Sequence, residues 1–165
     1  MKIIISIFMI FTVSFCQGVL YLDYGVTSEV ETSWGDETYT DDLDSPISIG
    51  YYHPVYEIAD NIGFSVGASY EIVPSKDDWD GELGFMAVYG ALGYSINDKV
   101  SAWASLGMAM PTSDDLKDVD AETGMHYGIG ASYSINEQIG VSLGFVSNSS
   151  TIPYEYGDDG EMTNS

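Results

Sequence analysis

Polar and apolar residues alternate along much of this chain with a period of two, which is typical of β-strands that have one apolar face. The segment 62–73 shows the pattern best, because large apolar residues occupy one face and mainly glycine and serine occupy the other. The segment 83–96 is apolar on both faces, and its orientation stays open. The alternation predicts seven strands, at residues 19–28, 46–56, 62–73, 83–96, 100–110, 125–135 and 139–150.

A hairpin pattern occurs three times, beginning at Tyr56, Tyr94 and Tyr133. Each copy has a strand that ends in Tyr-x-Ile, a tight polar turn and a second strand that alternates apolar residues with glycine or serine. The leading tyrosines lie 38 and 39 residues apart, which fits two strands, one short turn and one long loop. A tilted strand needs about 9–11 residues to cross a bilayer. The repeat therefore predicts an all-β, antiparallel up-and-down barrel that spans the bacterial outer membrane.

Connections between the predicted strands alternate in length. Short turns fall near residues 57–61, 97–99 and 136–138, and long loops near 29–45, 74–82, 111–124 and from 151 onward. The four long loops hold 20 of the 26 acidic residues. Short turns at one end and long loops at the other are the outer-membrane arrangement, in which the turns face the periplasm and the acidic loops face outward.

A soluble barrel also alternates, with its apolar face inside and a charged face outside. Here the less apolar face consists mainly of glycine and serine and holds few charges, so neither face suits bulk water. We therefore expect the apolar face to contact lipid and the small residues to line a narrow lumen. Aromatic side chains favour membrane interfaces, and such positions are predicted for Tyr56, Tyr94 and Tyr133 at the turn ends and for Tyr70, Trp79 and Tyr127 near the loop ends.

The first 18 residues read as a secretory signal peptide, which leaves residues 19–165 as one outer-membrane β-barrel domain. Lys2 precedes an apolar run that is too short for a spanning helix, and small residues follow it. A lipoprotein signal at Cys16 is the alternative, but the bulky Phe15 stands where a small residue is expected. Cleavage after Gly18 leaves a chain without cysteine, hence without disulfides.

The charge balance excludes two classes of partner. The chain has 26 acidic residues, four lysines and no arginine, for a net charge of -22. Such a chain has almost nothing with which to neutralise phosphates, so nucleic-acid binding is not expected. Docking on an anionic membrane surface is disfavoured for the same reason.

Seven strands are an odd number, whereas bacterial single-chain barrels have an even number. An open sheet would expose unpaired backbone groups to hydrocarbon. The acidic segment 157–165 is unsuited to crossing lipid. We therefore expect an eight-stranded barrel whose last strand is missing because the sequence is truncated.

The hairpins at residues 90–99 and 130–138 resemble those of the small eight-stranded outer-membrane barrels, the OmpA-like and OmpX-like families often grouped as the porin-family β-barrel domain. The resemblance covers residues 19–152 and implies an architecture rather than an activity. Members of these families usually end in an aromatic residue. This chain ends at Ser165, which again suggests truncation.

His126 is the first candidate for chemistry, because some barrels of this size are lipid A hydrolases or acyltransferases. The hydrolase-type arrangement wants a serine two residues after the histidine, and that residue is Gly128. Ser132 and Glu71 lie on polar faces, but spacing alone does not bring them within hydrogen-bond reach. We interpret His126 as a rim or lumen histidine, and His53, which precedes a proline, as structural.

Acidic clusters are the second candidate. The run 77–82 resembles part of a calcium loop, but Lys76 stands where the first acidic ligand belongs. The clusters at 41–44 and 114–118 have no motif, and all three are interpreted as solvated loops. Asp23 lies mid-strand and is expected in an interior polar network, either hydrogen-bonded to tyrosine or serine or protonated. The sequence thus predicts no catalytic, cofactor-binding or metal site, and no cofactor.

These patterns predict a non-enzymatic protein with a structural or surface-interaction role. Outer-membrane lipid and lipopolysaccharide are the expected partners, with divalent cations held loosely at the acidic loops, and the expected state is a monomer. A narrow cation-preferring channel and a secreted soluble ligand-binding β-barrel are the alternatives. A lipid-modifying enzyme that uses His126 is a third alternative.

Overall fold

The computed structural model describes residues 2–15, 18–34, 37–43, 45–73, 83–112, 121–151, 155–156 and 162–163. Its side chains are described within 18–26, at 40, and within 45–71, 84–112 and 121–151. The strands are β1 (Lys2–Phe15), β2 (Gly18–Trp34), β3 (Glu37–Leu43), β4 (Ile47–Ala59), β5 (Ile62–Val73), β6 (Leu83–Ser95), β7 (Val100–Pro111), β8 (Glu122–Ser134), β9 (Ile139–Thr151), β10 (Glu155–Tyr156) and β11 (Met162–Thr163). No helix in the described part of the chain is long and apolar enough to span a membrane.

Eight of the strands form a closed antiparallel ring in the order β1, β2, β4, β5, β6, β7, β8 and β9, and β9 pairs with β1. Neighbours along the chain are neighbours in the sheet, which is the up-and-down topology. The seven predicted strands correspond to β2 and β4–β9, so the predicted fold class is confirmed. Each boundary agrees to within a few residues except the end of β2.

The outer part of β2 departs from the prediction. Glu29–Trp34 was expected in a loop, but it continues the strand, and the outer part of β2 pairs with β3 from Ser28 opposite Leu43 to Trp34 opposite Glu37. The segment places Val30, Thr32 and Trp34 at alternate positions, and these residue types favour extended backbone. The predicted strand therefore ended too early, because the described part of the long first connection forms a hairpin.

The eighth strand was predicted to be missing from this sequence, and no segment after residue 151 joins the ring in the described residues. β10 and β11 pair only with each other, from Glu155 opposite Thr163 to Tyr156 opposite Met162. The eighth place in the ring is taken instead by β1, which lies antiparallel to both β2 and β9. The signal-peptide prediction for this segment concerns processing and stays a prediction.

Two of the short turns are built in the same way from an asparagine. Asn97 Oδ1 accepts hydrogen bonds from the backbone N–H groups of Lys99 and Val100, at 2.9 and 3.0 Å. Asn136 Oδ1 accepts from Gln138 and Ile139, at 2.8 and 2.9 Å. Asparagine favours such turns because its side chain mimics a backbone carbonyl. The repeated Tyr-Ser-Ile-Asn sequence thus sets the position of two hairpins.

The large apolar side chains lie on the outer surface of the ring. Leu106 on β7 is 61% exposed and Ile129 on β8 is 62% exposed. In contrast, Ala109 on β7 and Ser142 on β9 are buried. The orientation of β6 is now settled, because Phe85 and Tyr89 face inward and Val88 faces outward. An outer face of large apolar residues and an inner face with many small residues are the pattern of a barrel in lipid.

Exposed tyrosines also occupy five of the six predicted interface positions: Tyr56, Tyr70, Tyr94, Tyr127 and Tyr133. Trp79 lies outside the described residues.

Candidate functional site: the barrel lumen

Inward-facing glycines make room for the large aromatic side chains of the lumen. A Cβ atom added at Gly50 would collide with the ring of Tyr21 on the neighbouring strand. A Cβ atom at Gly67 would lie 2.7 Å from the ring of Tyr89. The lumen of an eight-stranded barrel is only wide enough for side chains to fill it. The alternation of glycine with apolar residues therefore serves packing as well as strand formation.

Two side-chain pairs cross the lumen. The hydroxyl groups of Tyr21 on β2 and Tyr89 on β6 share a hydrogen bond of 2.6 Å. Asn148 Nδ2 on β9 donates a hydrogen bond to Glu71 Oε2 on β5. In each pair the two strands are not neighbours in the ring, so these contacts connect walls that the backbone ladder does not join. The interior is thus crossed by two side-chain links, which interrupt it as a continuous pore.

His126 joins the second cross-link to a serine. Its Nδ1 atom lies 2.8 Å from Asn148 Oδ1, and its Nε2 atom lies 3.1 Å from Ser105 Oγ. An amide oxygen only accepts, so in the neutral ring Nδ1 carries the hydrogen and Nε2 accepts from the Ser105 hydroxyl. The ring stacks on Tyr89, with centroids 4.8 Å apart. Because His126 is only 4% exposed, the prediction of a lumen histidine is confirmed.

Asp23 faces the lumen, as predicted from its position on β2. It is 4% exposed, and Ser48 Oγ on β4 donates a hydrogen bond of 3.0 Å to its Oδ2 atom. The expected serine partner is therefore present. The other carboxyl oxygen, Oδ1, has no hydrogen-bond partner among the described residues.

A cavity of about 170 Å³ remains inside the barrel. The indole of Trp103 leans over β8 and β9, where a Cβ atom at either Gly130 or Gly144 would lie 2.5 Å from its Cζ2 atom. On the other side of Trp103, a Cβ atom at Gly93 would meet no atom within 4 Å. The cavity is also lined by serine hydroxyl groups on five strands: Ser48, Ser65, Ser69, Ser101, Ser105, Ser132 and Ser142.

The remaining candidates from the sequence lie elsewhere. His53 is half-buried on β4, and its Nδ1 atom lies 3.2 Å from the hydroxyl of the outward-facing Tyr51. The clusters at 77–82 and 114–118 fall outside the described residues, and in the 41–44 cluster only the backbone of 41–43 is described. Within the described part of the chain, no group of three or more His, Cys, Asp or Glu side chains is placed to hold a metal ion.

Sequence reasoning missed three members of the interior network, namely Ser105, Asn148 and Tyr89. All three fall on the alternate positions of their strands that face the lumen, so the alternation contained the signal for their orientation. Which inward residues meet depends on the register and curvature of the ring. In particular, Glu71 and Asn148 lie 77 positions apart in the chain, and no local pattern connects them.

The chain was compared with known structures, curated proteins and protein families. Among solved structures, the chain is similar to the crystal structure of Ail, the attachment invasion locus protein of Yersinia pestis, with 14% sequence identity and a TM-score of 0.42. The match covers 90% of this chain and 97% of that chain. No curated protein matches the chain. The family described as outer membrane protein beta-barrel domain matches residues 17–164, which confirms the resemblance seen in the hairpins. The chain therefore belongs to the outer membrane protein β-barrel domain family, and its place is the cell outer membrane.

Proposed function

We propose that this protein is a non-enzymatic barrel with a structural or surface-interaction role, which it performs through its loops. The observation that carries the proposal is the interrupted lumen, which Tyr21 and Tyr89 cross as one pair and Glu71 and Asn148 as another. The outer face of the strands is apolar and suited to lipid. The two ends of the barrel are then the surfaces that are available to bind other molecules.

The acidic loops supply the chemistry for such contacts. Long connections hold most of the 26 acidic residues, and the chain has only four basic ones. Carboxylates bind hard divalent cations, and lipopolysaccharide carries phosphate groups that bind the same ions. We infer that divalent cations bridge these loops and the surrounding lipopolysaccharide, and that the barrel acts as a monomer.

Export by a cleaved leader fits the course of the strands. β2 begins at Gly18, at the end of the barrel that holds the turns near Asn61, Asn97 and Asn136. Short turns lie on the periplasmic side of outer-membrane barrels. A chain cut after Gly18 therefore begins in the periplasm, where a leader peptidase acts.

A hydrolytic role has one feature in its favour and two against it. Ser105, His126 and Asn148 are arranged as a nucleophile, a base and an orienting group. However, the histidine is buried under Tyr89 inside the ring, away from the lipid that such a barrel would hydrolyse. Most backbone N–H groups of β7–β9 are also paired in the sheet, and that of Met125 bonds Ser149 Oγ, so the ladder leaves few donors for an oxyanion hole. A structural role for the three residues is therefore favoured.

The test compares the wild type with a variant in which Asp41, Asp42 and Asp44 are changed to asparagine. We expect purified barrels in lipid vesicles to bind lipopolysaccharide in a calcium-dependent way, and the loop variant to bind it less. A Ser105→Ala variant serves as the matched control and should bind like the wild type. Binding that is independent of calcium and of the loop charges would overturn the proposal.

Single-channel recording separates this role from the channel alternative. The interrupted lumen predicts no steady conductance for the purified protein in a planar bilayer. A stable cation-selective current would instead support the narrow channel. Lipid hydrolysis by the wild type that disappears in Ser105→Ala would support the enzyme.

A further inference from the structure

Asp23 and Glu71 place two carboxyl groups in the lumen on nearly adjacent walls. Ser48 on β4 is the direct cross-strand partner of both residues, with Asp23 on one side and Glu71 on the other. Such partners have Cβ atoms about 4.5–5.5 Å apart, and inward side chains converge on the concave face of a closed barrel. Both carboxyl side chains are buried, at 4% and 3% exposed, and they line the same cavity.

No basic side chain of the described residues neutralises this pair. The chain has no arginine, and its four lysines are at positions 2, 76, 99 and 117. Lys99 is exposed in a turn. Lys2 lies eight residues along β1 from Ile10, the cross-strand partner of Asp23, which corresponds to roughly 26 Å of strand. A buried ionised carboxylate requires a compensating charge, and the lumen itself does not provide one for Asp23.

One oxygen of the pair is also left without a hydrogen-bond donor. Ser48 donates to Asp23 Oδ2, and Asn148 donates to Glu71 Oε2. Asp23 Oδ1 has no partner among the described residues, although the side chain is almost fully buried and lines the cavity. Buried polar atoms of this kind usually have a partner. The cavity of about 170 Å³ has room for an ion together with several water molecules.

We propose that the lumen binds one hard divalent cation of the calcium class between Asp23 and Glu71. Two carboxylates balance the charge of the ion, and the Ser48 hydroxyl and water supply further oxygen ligands. Calcium binds six to eight oxygen atoms and tolerates irregular geometry, which suits a site made from three strands.

Calcium titration of the folded barrel, purified from outer membranes in detergent and followed by calorimetry, tests the proposal. We expect the wild type to bind one calcium ion stoichiometrically, and Asp23→Asn and Glu71→Gln each to weaken binding about tenfold or more. Two controls are matched to these variants. Ser132→Ala changes the same lumen away from the carboxyl groups, and Asp41→Asn with Asp42→Asn changes the acidic first loop. Both controls should retain the stoichiometric site.

Several results would overturn the proposal. The wild type could show no stoichiometric site, in which case protons keep the carboxyl groups neutral. Asp23→Asn could bind like the wild type, or the loop variant alone could lose the site, in which case the ion is held by the loops. Heat-modifiable migration on a gel verifies that each variant is folded. If neither lumen variant folds, the unfolding midpoint of the wild type decides: calcium should raise it more than magnesium does, and an equal effect would contradict the proposal.

Discussion

Glu71 and Asn148 meet across the lumen although β5 and β9 lie on opposite sides of the ring. The contact continues through His126 to Ser105, so one chain of polar groups connects β5, β9, β8 and β7. The backbone ladder joins only neighbouring strands. The interior network therefore resists flattening of the barrel, which the ladder alone does not.

Removing this cross-link should destabilise the barrel. We expect Asn148→Ala to lower the free energy of unfolding by about 1–3 kcal/mol, because the buried Glu71 and His126 both lose a partner. Urea unfolding in detergent micelles measures the change. Gln138→Ala, which removes an exposed amide in a turn, is the matched control and should leave the stability unchanged. An equal loss in both variants would contradict a cross-lumen role.

The space around Trp103 makes a second prediction possible. Gly130→Ala places a methyl group against the indole and should lower the free energy of unfolding by about 1–3 kcal/mol through overpacking. Gly93→Ala faces the open side of the same indole, where the new methyl group meets nothing. This control should be neutral or slightly stabilising. Equal effects in urea unfolding would show that Trp103 does not lean as described.

Charged substitutions on the outer face should lower the free energy of unfolding more the deeper they lie in the bilayer. Leu106 lies in the middle of β7 and is 61% exposed to the surroundings of the barrel. We expect Leu106→Arg to lower the free energy of unfolding in lipid vesicles by about 2–4 kcal/mol, as for a residue near the bilayer midplane. Glu137→Arg lies in a short turn and should have little effect. A neutral Leu106→Arg would mean that this face does not contact lipid.

The two asparagine turns should be equivalent. Asn97→Ala and Asn136→Ala each remove a side chain that accepts two backbone hydrogen bonds. By analogy with helix caps, we expect each to cost about 1 kcal/mol of stability. Refolding into micelles, followed by heat-modifiable migration, should also become slower. Asp98→Ala in the first turn is the control, and a variant at either asparagine that refolds like this control would contradict the assignment.

Mass spectrometry of the protein from outer membranes tests the leader. We expect a mass that corresponds to a chain beginning after Gly18. The edges of β2 and β9 then require another strand in the place of β1, because unpaired backbone groups are not tolerated in hydrocarbon. A mature mass that still includes Lys2–Phe15 would contradict cleavage and would mean that β1 remains part of the barrel.

Alternation alone predicted the strands and the lumen-facing side of Asp23, His126 and Glu71, because a two-residue period is a local property. The end of β2 was predicted too early, since a hairpin such as β2–β3 is stabilised by pairing that a charge count does not reveal. The hydrogen-bond network around His126 could not be predicted from the sequence. Its members come from four strands, and their meeting depends on the register of the closed ring.

The separation of paired strands along the chain also indicates the order in which the ring can form. Hairpins such as β6–β7 join residues close in the chain, whereas closure must bridge the gap between β2 and β9, the first and last long strands of a chain cut after Gly18. Distant pairing has a larger loop-closure entropy and is slower. Until it happens, both edges are free to pair with other chains. The yield of closed protein should therefore fall as refolding is carried out at higher concentration, while the rate at which hairpins appear should not change.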